Sequence, residues 1–144
     1  MPVRRLLLAL AVVAAVSVST ACRAETLQII ANRSVPDDAP LSLAELAAIY
    51  LLRATHWDDG THIVPVNRET GSAARTYFTH QVLRQDSDTL ATYWNQMHFK
   101  GKLPPVVQES EQAMLAFVRK VPGAIGYIGA DTPAVGVKVL AHVD

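Results

Sequence analysis

A chain of 144 residues, half of them hydrophobic and 18% charged, has room for one domain whose core folds without cross-links. Its 13 basic and 13 acidic side chains balance, but Arg4, Arg5 and Arg23 all precede residue 25, so the remainder is net acidic by three charges. That excludes the basic face on which nucleic-acid binding depends, and the single cysteine, Cys22, excludes an intrachain disulfide.

The first segment reads as a secretory signal peptide over residues 1–24: Arg4 and Arg5, an apolar run from Leu6 to Val18, then small residues. The apolar run is short for a helix that crosses ~30 Å of hydrocarbon. Two endings stay open. Cleavage after Ala24 leaves "ETLQII" at the front of a mature domain of residues 25–144. Lipidation of Cys22 after "VSTA" makes a lipoprotein instead, although Ser19 stands where such signals usually carry leucine. Either way the protein is expected to be exported to the periplasm.

In the mature part, "TLQIIAN" (residues 26–32) alternates and is rich in branched residues, which predicts a strand, and "RSVPDDAP" predicts a loop. "LSLAELAAIYLLR" predicts a helix with Ser42 and Glu45 as a capping box and with Leu43, Leu46, Ala47, Tyr50 and Leu51 on its packed face. Asp59–Gly60 signals a turn, and "HIVPV" a short strand. "SAARTYFTHQVLR" predicts a helix from Ser72 with Ala74, Tyr77, Phe78, Val82 and Leu83 inward. "QDSDTLATYWNQM" predicts a short helix begun by Asp86, Ser87 or Asp88, and "HFKGKLPPVV" a loop running into a strand end. "SEQAMLAFVRKV" predicts a helix capped by Ser110, with Met114, Leu115, Phe117 and Val118 inward, stopped at Pro122–Gly123. "GAIGYIGA" and "VGVKVLAHV" close the chain as strands. Strands alternating with helices predict one α/β domain.

The stretch "VNRETGSAAR" (residues 66–75) carries the chemistry. Arg68 leaves a strand end with a guanidinium fork suited to phosphate, sulfate or carboxylate oxygens. Gly71 permits a turn with positive φ, Ser72 offers a hydroxyl, and the N–H groups of Ala73, Ala74 and Arg75 open a helix unpaired. A strand end followed by a helix start is where open α/β sheets place ligands. The plainer account is that Ser72 only caps its helix and Arg68 pairs with a nearby carboxylate.

Other residues favour structural roles. Of the five histidines, His56 and His62 flank a turn and could approach each other, but with no third ligand in sight no metal is expected. Asp58 and Asp59 lack an EF-hand's ligand series and read as turn residues. Trp57 and Trp94 read as packing residues, with a partner surface as the other reading for either. There is no nucleophile elbow, and Ser72 and His80 stand at the wrong helical spacing to share a face, so neither an enzyme nor a cofactor is expected.

Three stretches taken in order, "LSLAELAAIYLLRATHWDDG", "VPVNRETGSAARTYF" and "VPGAIGYIG", together with "TYWNQMHFKGKLPP", resemble the substrate-binding components of phosphate ABC transporters. The resemblance is closer still to the short, single-domain PBP-like exported proteins related to them, and it covers most of residues 26–140. It implies a single lobe of the type II periplasmic-binding-protein fold, a mixed sheet flanked by helices. It also implies a phosphate or oxyanion site at Arg68, Ser72, Ala73 and Ala74. In that family the turn reads arginine, three residues, then serine-glycine-threonine. Ala73 here replaces the glycine and Ala74 the threonine, so one hydroxyl donor is lost and a methyl is added while the backbone donors remain. The full transporter proteins close two lobes on phosphate, and no glycine-rich turn matching the first lobe is present. Two readings follow: an oxyanion-binding protein that a second copy or an envelope protein completes, or a non-catalytic envelope interaction module with a vestigial site.

Overall fold

The computed structural model describes residues 26–37 and 41–144. The expected signal peptide, Cys22 and part of the "RSVPDDAP" loop lie outside them. Five strands and four helices follow in the order β1 (Leu27–Ala31), α1 (Leu43–Tyr50), β2 (Val64–Arg68), α2 (Ala73–Phe78), α3 (Ser87–Phe99), β3 (Val106–Gln108), α4 (Glu111–Lys120), β4 (Ala124–Gly129) and β5 (Lys138–Val143). They form the mixed α/β lobe that the resemblance implies.

The sheet order is β3-β2-β4-β1-β5. β2 runs parallel to both β3 and β4, while β1 is antiparallel to β4 and to β5. Helices cover both faces, so the inner strands are apolar on both sides. Leu27, Ile29, Ile125 and Tyr127 point into one cluster with Leu46, Tyr50, Phe78 and Val82. Ile30, Val66, Ala124 and Ile128 point into the other with Met114, Leu115 and Val118. The period of two along "AIGYI" therefore feeds two cores at once. Gly126 faces α4, where an added Cβ would press on the buried Met114 side chain. The buried polar groups of β1 are satisfied by distant carbonyls: the Gln28 amide donates to Gly129 O (3.0 Å) and Thr132 O (2.6 Å). Asn32 Nδ2 donates to Val118 O (2.8 Å) and Arg119 O (3.0 Å), tying the end of β1 to the end of α4.

The helix starts follow the sequence closely because their signals are local. Ser42 and Glu45 form the capping box, and Ser72, Asp86 and Ser110 cap α2, α3 and α4. Three details differ from the sequence expectation. Leu43, at the first helical position, stays exposed, and Ile49 takes the place expected of it on the packed face. The segment after Ser72 is not one regular α-helix: Thr79–Leu83 forms a π-helical turn ending at Arg84, which adopts a left-handed conformation (φ 51°). The third helix runs 13 residues to Phe99, so His98 and Phe99 are helical rather than loop.

Candidate functional site

β2 and β4 end side by side, and α2 starts just beyond β2. Two tyrosines lock these strand ends. Tyr50 Oη donates to Val66 O (2.8 Å) across the core face. Tyr127 Oη donates to Asn67 Oδ1 and accepts from the backbone N–H of Arg68 (3.2 Å), which also donates to Asn67 Oδ1 (3.0 Å). Phe78 stacks on Tyr127 with ring centroids 4.2 Å apart and Tyr50 tilts against Phe78 at 4.6 Å. Burial pushes the Tyr127 phenol up to about 12 and raises that of Tyr50 well above the ordinary tyrosine value, so both hydroxyls stay protonated. Arg68 thus leaves the sheet from a rigid base.

Its side chain is only 11% exposed. Nε and Nη2 donate to the two carboxylate oxygens of Glu69 at 2.9 and 3.0 Å, a bidentate pair. These hydrogen bonds raise the Arg68 guanidinium above its usual value, opposed by partial burial, and hold the Glu69 carboxyl below the usual carboxylate range. Glu111, at the start of α4, also lies close enough to act on Arg68 electrostatically.

The turn after Arg68 is held by hydrogen bonds on both sides. Gly71 sits at φ +92°, a left-handed conformation that suits glycine. The N–H of Ser72 donates to Glu69 O (3.2 Å), and Ser72 Oγ accepts from the N–H of Arg75 (3.0 Å). Used as an acceptor, the Ser72 hydroxyl keeps its own proton to donate outward. Arg75 Nη1 reaches back to Arg68 O (2.9 Å) and Thr70 Oγ1 (3.3 Å), closing the turn. Among the described residues, nothing accepts from the N–H groups of Ala73 and Ala74, and no acidic residue stands in the first turn of α2. The result is a rigid, donor-rich strand-to-helix junction.

Arg68, Ser72, Ala73 and Ala74 therefore come together in one turn, and the plainer contacts are present too: Ser72 caps its helix and Arg68 pairs with a carboxylate. The sequence reading missed Asn67, the neighbour of Arg68 on β2, and also Tyr127 and Glu111, which reach Arg68 from β4 and α4. It also missed the Arg75 side chain, although an arginine three residues after a cap serine was a usable signal.

The other singled-out residues separate from this junction. His56 and His62 do approach, as an antiparallel bridge with ring centroids 5.3 Å apart, and no cluster of three metal-ligating side chains occurs among the described residues. Asp59 Oδ1 accepts from the N–H of Thr61 (2.8 Å), a turn role. Trp57 packs on the core and donates from Nε1 to Gly123 O (3.0 Å). Trp94 is half-buried and lines a cavity of about 460 Å³ between α2 and α3 together with Arg75 and His80.

A family model described as a PBP superfamily domain matches residues 24–141. The chain belongs to the PBP superfamily. No curated protein matches it. Among solved structures it is similar to a candidate phosphate ABC transporter substrate-binding protein with bound phosphate from Clostridium perfringens. That pair is 21% identical with a TM-score of 0.64, over 81% of this chain and 44% of the other. An ABC-type phosphate transport receptor from Vibrio cholerae matches at 21% identity and a TM-score of 0.63, over 81% and 45%. PstS from Borrelia burgdorferi matches at 16% and 0.60, over 81% and 47%. At these identities the likeness is one of fold, and this PBP domain spans less than half the length of each of those structures.

Proposed function

We propose that this PBP domain is an exported oxyanion-binding protein, with phosphate the favoured ligand, that uses Arg68, the Ser72 hydroxyl and the N–H groups of Ala73 and Ala74. Residues 1–24 are its signal peptide in this reading. One observation carries it: just past an arginine fixed at a strand end, a helix starts with two unpaired backbone donors and no acid in its first turn. The fold neighbour from Clostridium perfringens, which holds phosphate, adds support. Binding takes place through positioned donors and the helix end, with no chemical step.

Such a shell is half of what a buried phosphate needs, because each polar group left unpaired costs ~1–3 kcal/mol. Affinity is therefore modest unless a second copy or an envelope protein closes over the site. The bidentate grip of Glu69 on Arg68 favours a second reading, an interaction module whose anion site is vestigial. Calorimetric titration of the processed protein with phosphate, repeated on Arg68→Ala, separates the two. Saturable heat that the substitution removes supports the binder; no heat and no rise in melting temperature at millimolar phosphate leaves the interaction module.

A further inference from the structure

At the far end of the strands from Arg68, the chain leaves α3 and enters β3 through "FKGKLPPVV". Phe99 is 90% exposed and Leu103 71%, and Val106 and Val107 beyond them are 44% and 46% exposed. Four large apolar side chains exposed along one short stretch of chain leave a surface that water disfavours. Leu103 and Val106 also form one lip of an apolar cleft of about 330 Å³, floored by Ile63, Val64 and Pro65.

The charges along this stretch and in the lining of the cleft all have one sign. Lys100 and Lys102 are exposed between the two apolar residues, and neither makes an ion pair among the described residues. Arg53 approaches from the neighbouring loop, its guanidinium 5.8 Å over the Tyr93 ring. From Thr89 to Gln108 the sequence holds no aspartate or glutamate, and none lines the cleft. In a domain that is acidic outside its first segment, this is a local concentration of cations around protruding hydrophobics. A protruding aromatic and a leucine flanked by lysines suit the boundary of an anionic bilayer: the rings and methyls enter the acyl region while the lysine stems snorkel to headgroup phosphates.

We infer that the Phe99–Leu103 loop, with Lys100, Lys102 and Arg53, docks this protein peripherally on an anionic lipid surface. β1 begins and β5 ends at the Arg68 end of the sheet, so docking at this loop leaves the Arg68 junction facing away from the lipid.

The test is co-sedimentation of the processed protein with vesicles of phosphatidylglycerol and phosphatidylethanolamine, against vesicles of phosphatidylcholine alone. Every protein is produced as residues 25–144, without Cys22, so that no acyl chain contributes. The expected result is binding to the anionic vesicles that weakens with salt. Lys100→Ala with Lys102→Ala lowers it about 30-fold. Phe99→Ser with Leu103→Ser reduces it to the phosphatidylcholine level, since each buried side chain is worth more than tenfold. Melting temperatures of these variants stay at the parent value, because the altered side chains are exposed, and Arg68→Ala binds vesicles like the parent. Equal sedimentation of all variants, or none with either vesicle, overturns the inference and assigns the patch to a protein partner.

Discussion

Two helices of this domain begin just past the ends of adjacent parallel strands, each capped by a serine, yet their starts differ electrically. At α4, after β3, Ser110 caps and Glu111 occupies the first turn, where its carboxylate accepts from the N–H of Gly129 (2.6 Å) and from the Thr132 hydroxyl. That helix end is neutralised from within its own fold. At α2, after β2, Ser72 caps in the same way, but two alanines follow, the first turn holds no acid, and the Glu69 carboxylate ahead of it is taken up by Arg68. A cap serves both helices, and only the residues after it decide whether the helix end is closed or left open. The proposed oxyanion site rests on that difference, and four substitutions test it.

The largest effect is expected at Arg68. Removing a charged donor from an oxyanion's shell costs about 30-fold or more in affinity. Arg68→Ala should therefore abolish measurable phosphate heat. Its melting temperature should change little, because the backbone N–H of Arg68 still bonds Tyr127 and Asn67. A variant that binds as the parent does would remove Arg68 from the site.

Ala73→Glu gives α2 the acid that α4 already has, and the two readouts should move in opposite directions. An acid in the first turn stabilises a helix by about 0.3–1 kcal/mol, so thermal unfolding should shift upward. Phosphate affinity should fall at least tenfold through repulsion at short range. If both stay unchanged, the α2 start faces no ligand.

These contrasts also show what was legible in advance. The caps Ser42, Ser72, Asp86 and Ser110 act on groups three residues away, so the sequence alone placed three helix starts and narrowed the fourth to Asp86, Ser87 or Asp88. The pairing of Arg68 with Glu69 is between neighbours and was legible in kind. The Tyr127–Asn67 bond joins residues 60 apart, and it depends on β4 lying beside β2, which no local pattern specifies. Glu111 reaches Gly129 for the same reason. Helix periodicity put Leu43 inside because it ignores where the helix meets the sheet, which α1 does only from Leu46 onward. The π turn over Thr79–Leu83 had no glycine or proline to announce it, since its left-handed end falls on Arg84.

Glu111→Gln probes the closed helix start from the other side. It replaces a charged acceptor by a weaker, neutral one beneath Gly129 and Thr132, which should cost about 1.5 kcal/mol of stability. Phosphate affinity should not fall, because the carboxylate removed is a negative charge close to Arg68. A urea midpoint shifted downward beside an unchanged calorimetric titration would separate the structural helix start from the binding one. A loss of binding would instead join the two into a single site.

The smallest effect concerns the grip of Glu69 on Arg68, and pH tests it without mutation. The hydrogen bonds from Arg68 hold the Glu69 carboxyl below its ordinary 4.5. A lowered folded value means that the pair's contribution to stability is present above pH 4.5 and is lost as pH falls through that lower value. Below it the carboxyl is neutral and the guanidinium fork is released to a ligand. Sulfate is the right probe, since it keeps its double charge across this window while phosphate does not. In the parent protein, sulfate affinity should rise as pH drops below 4.5. In Glu69→Gln the affinity should already be roughly two- to fivefold higher at pH 7, and the acid-side rise should disappear. If instead Glu69→Gln weakens sulfate binding, the carboxylate orients Arg68 toward the ligand rather than competing with it, and the pair is part of a working site instead of the seal on a vestigial one.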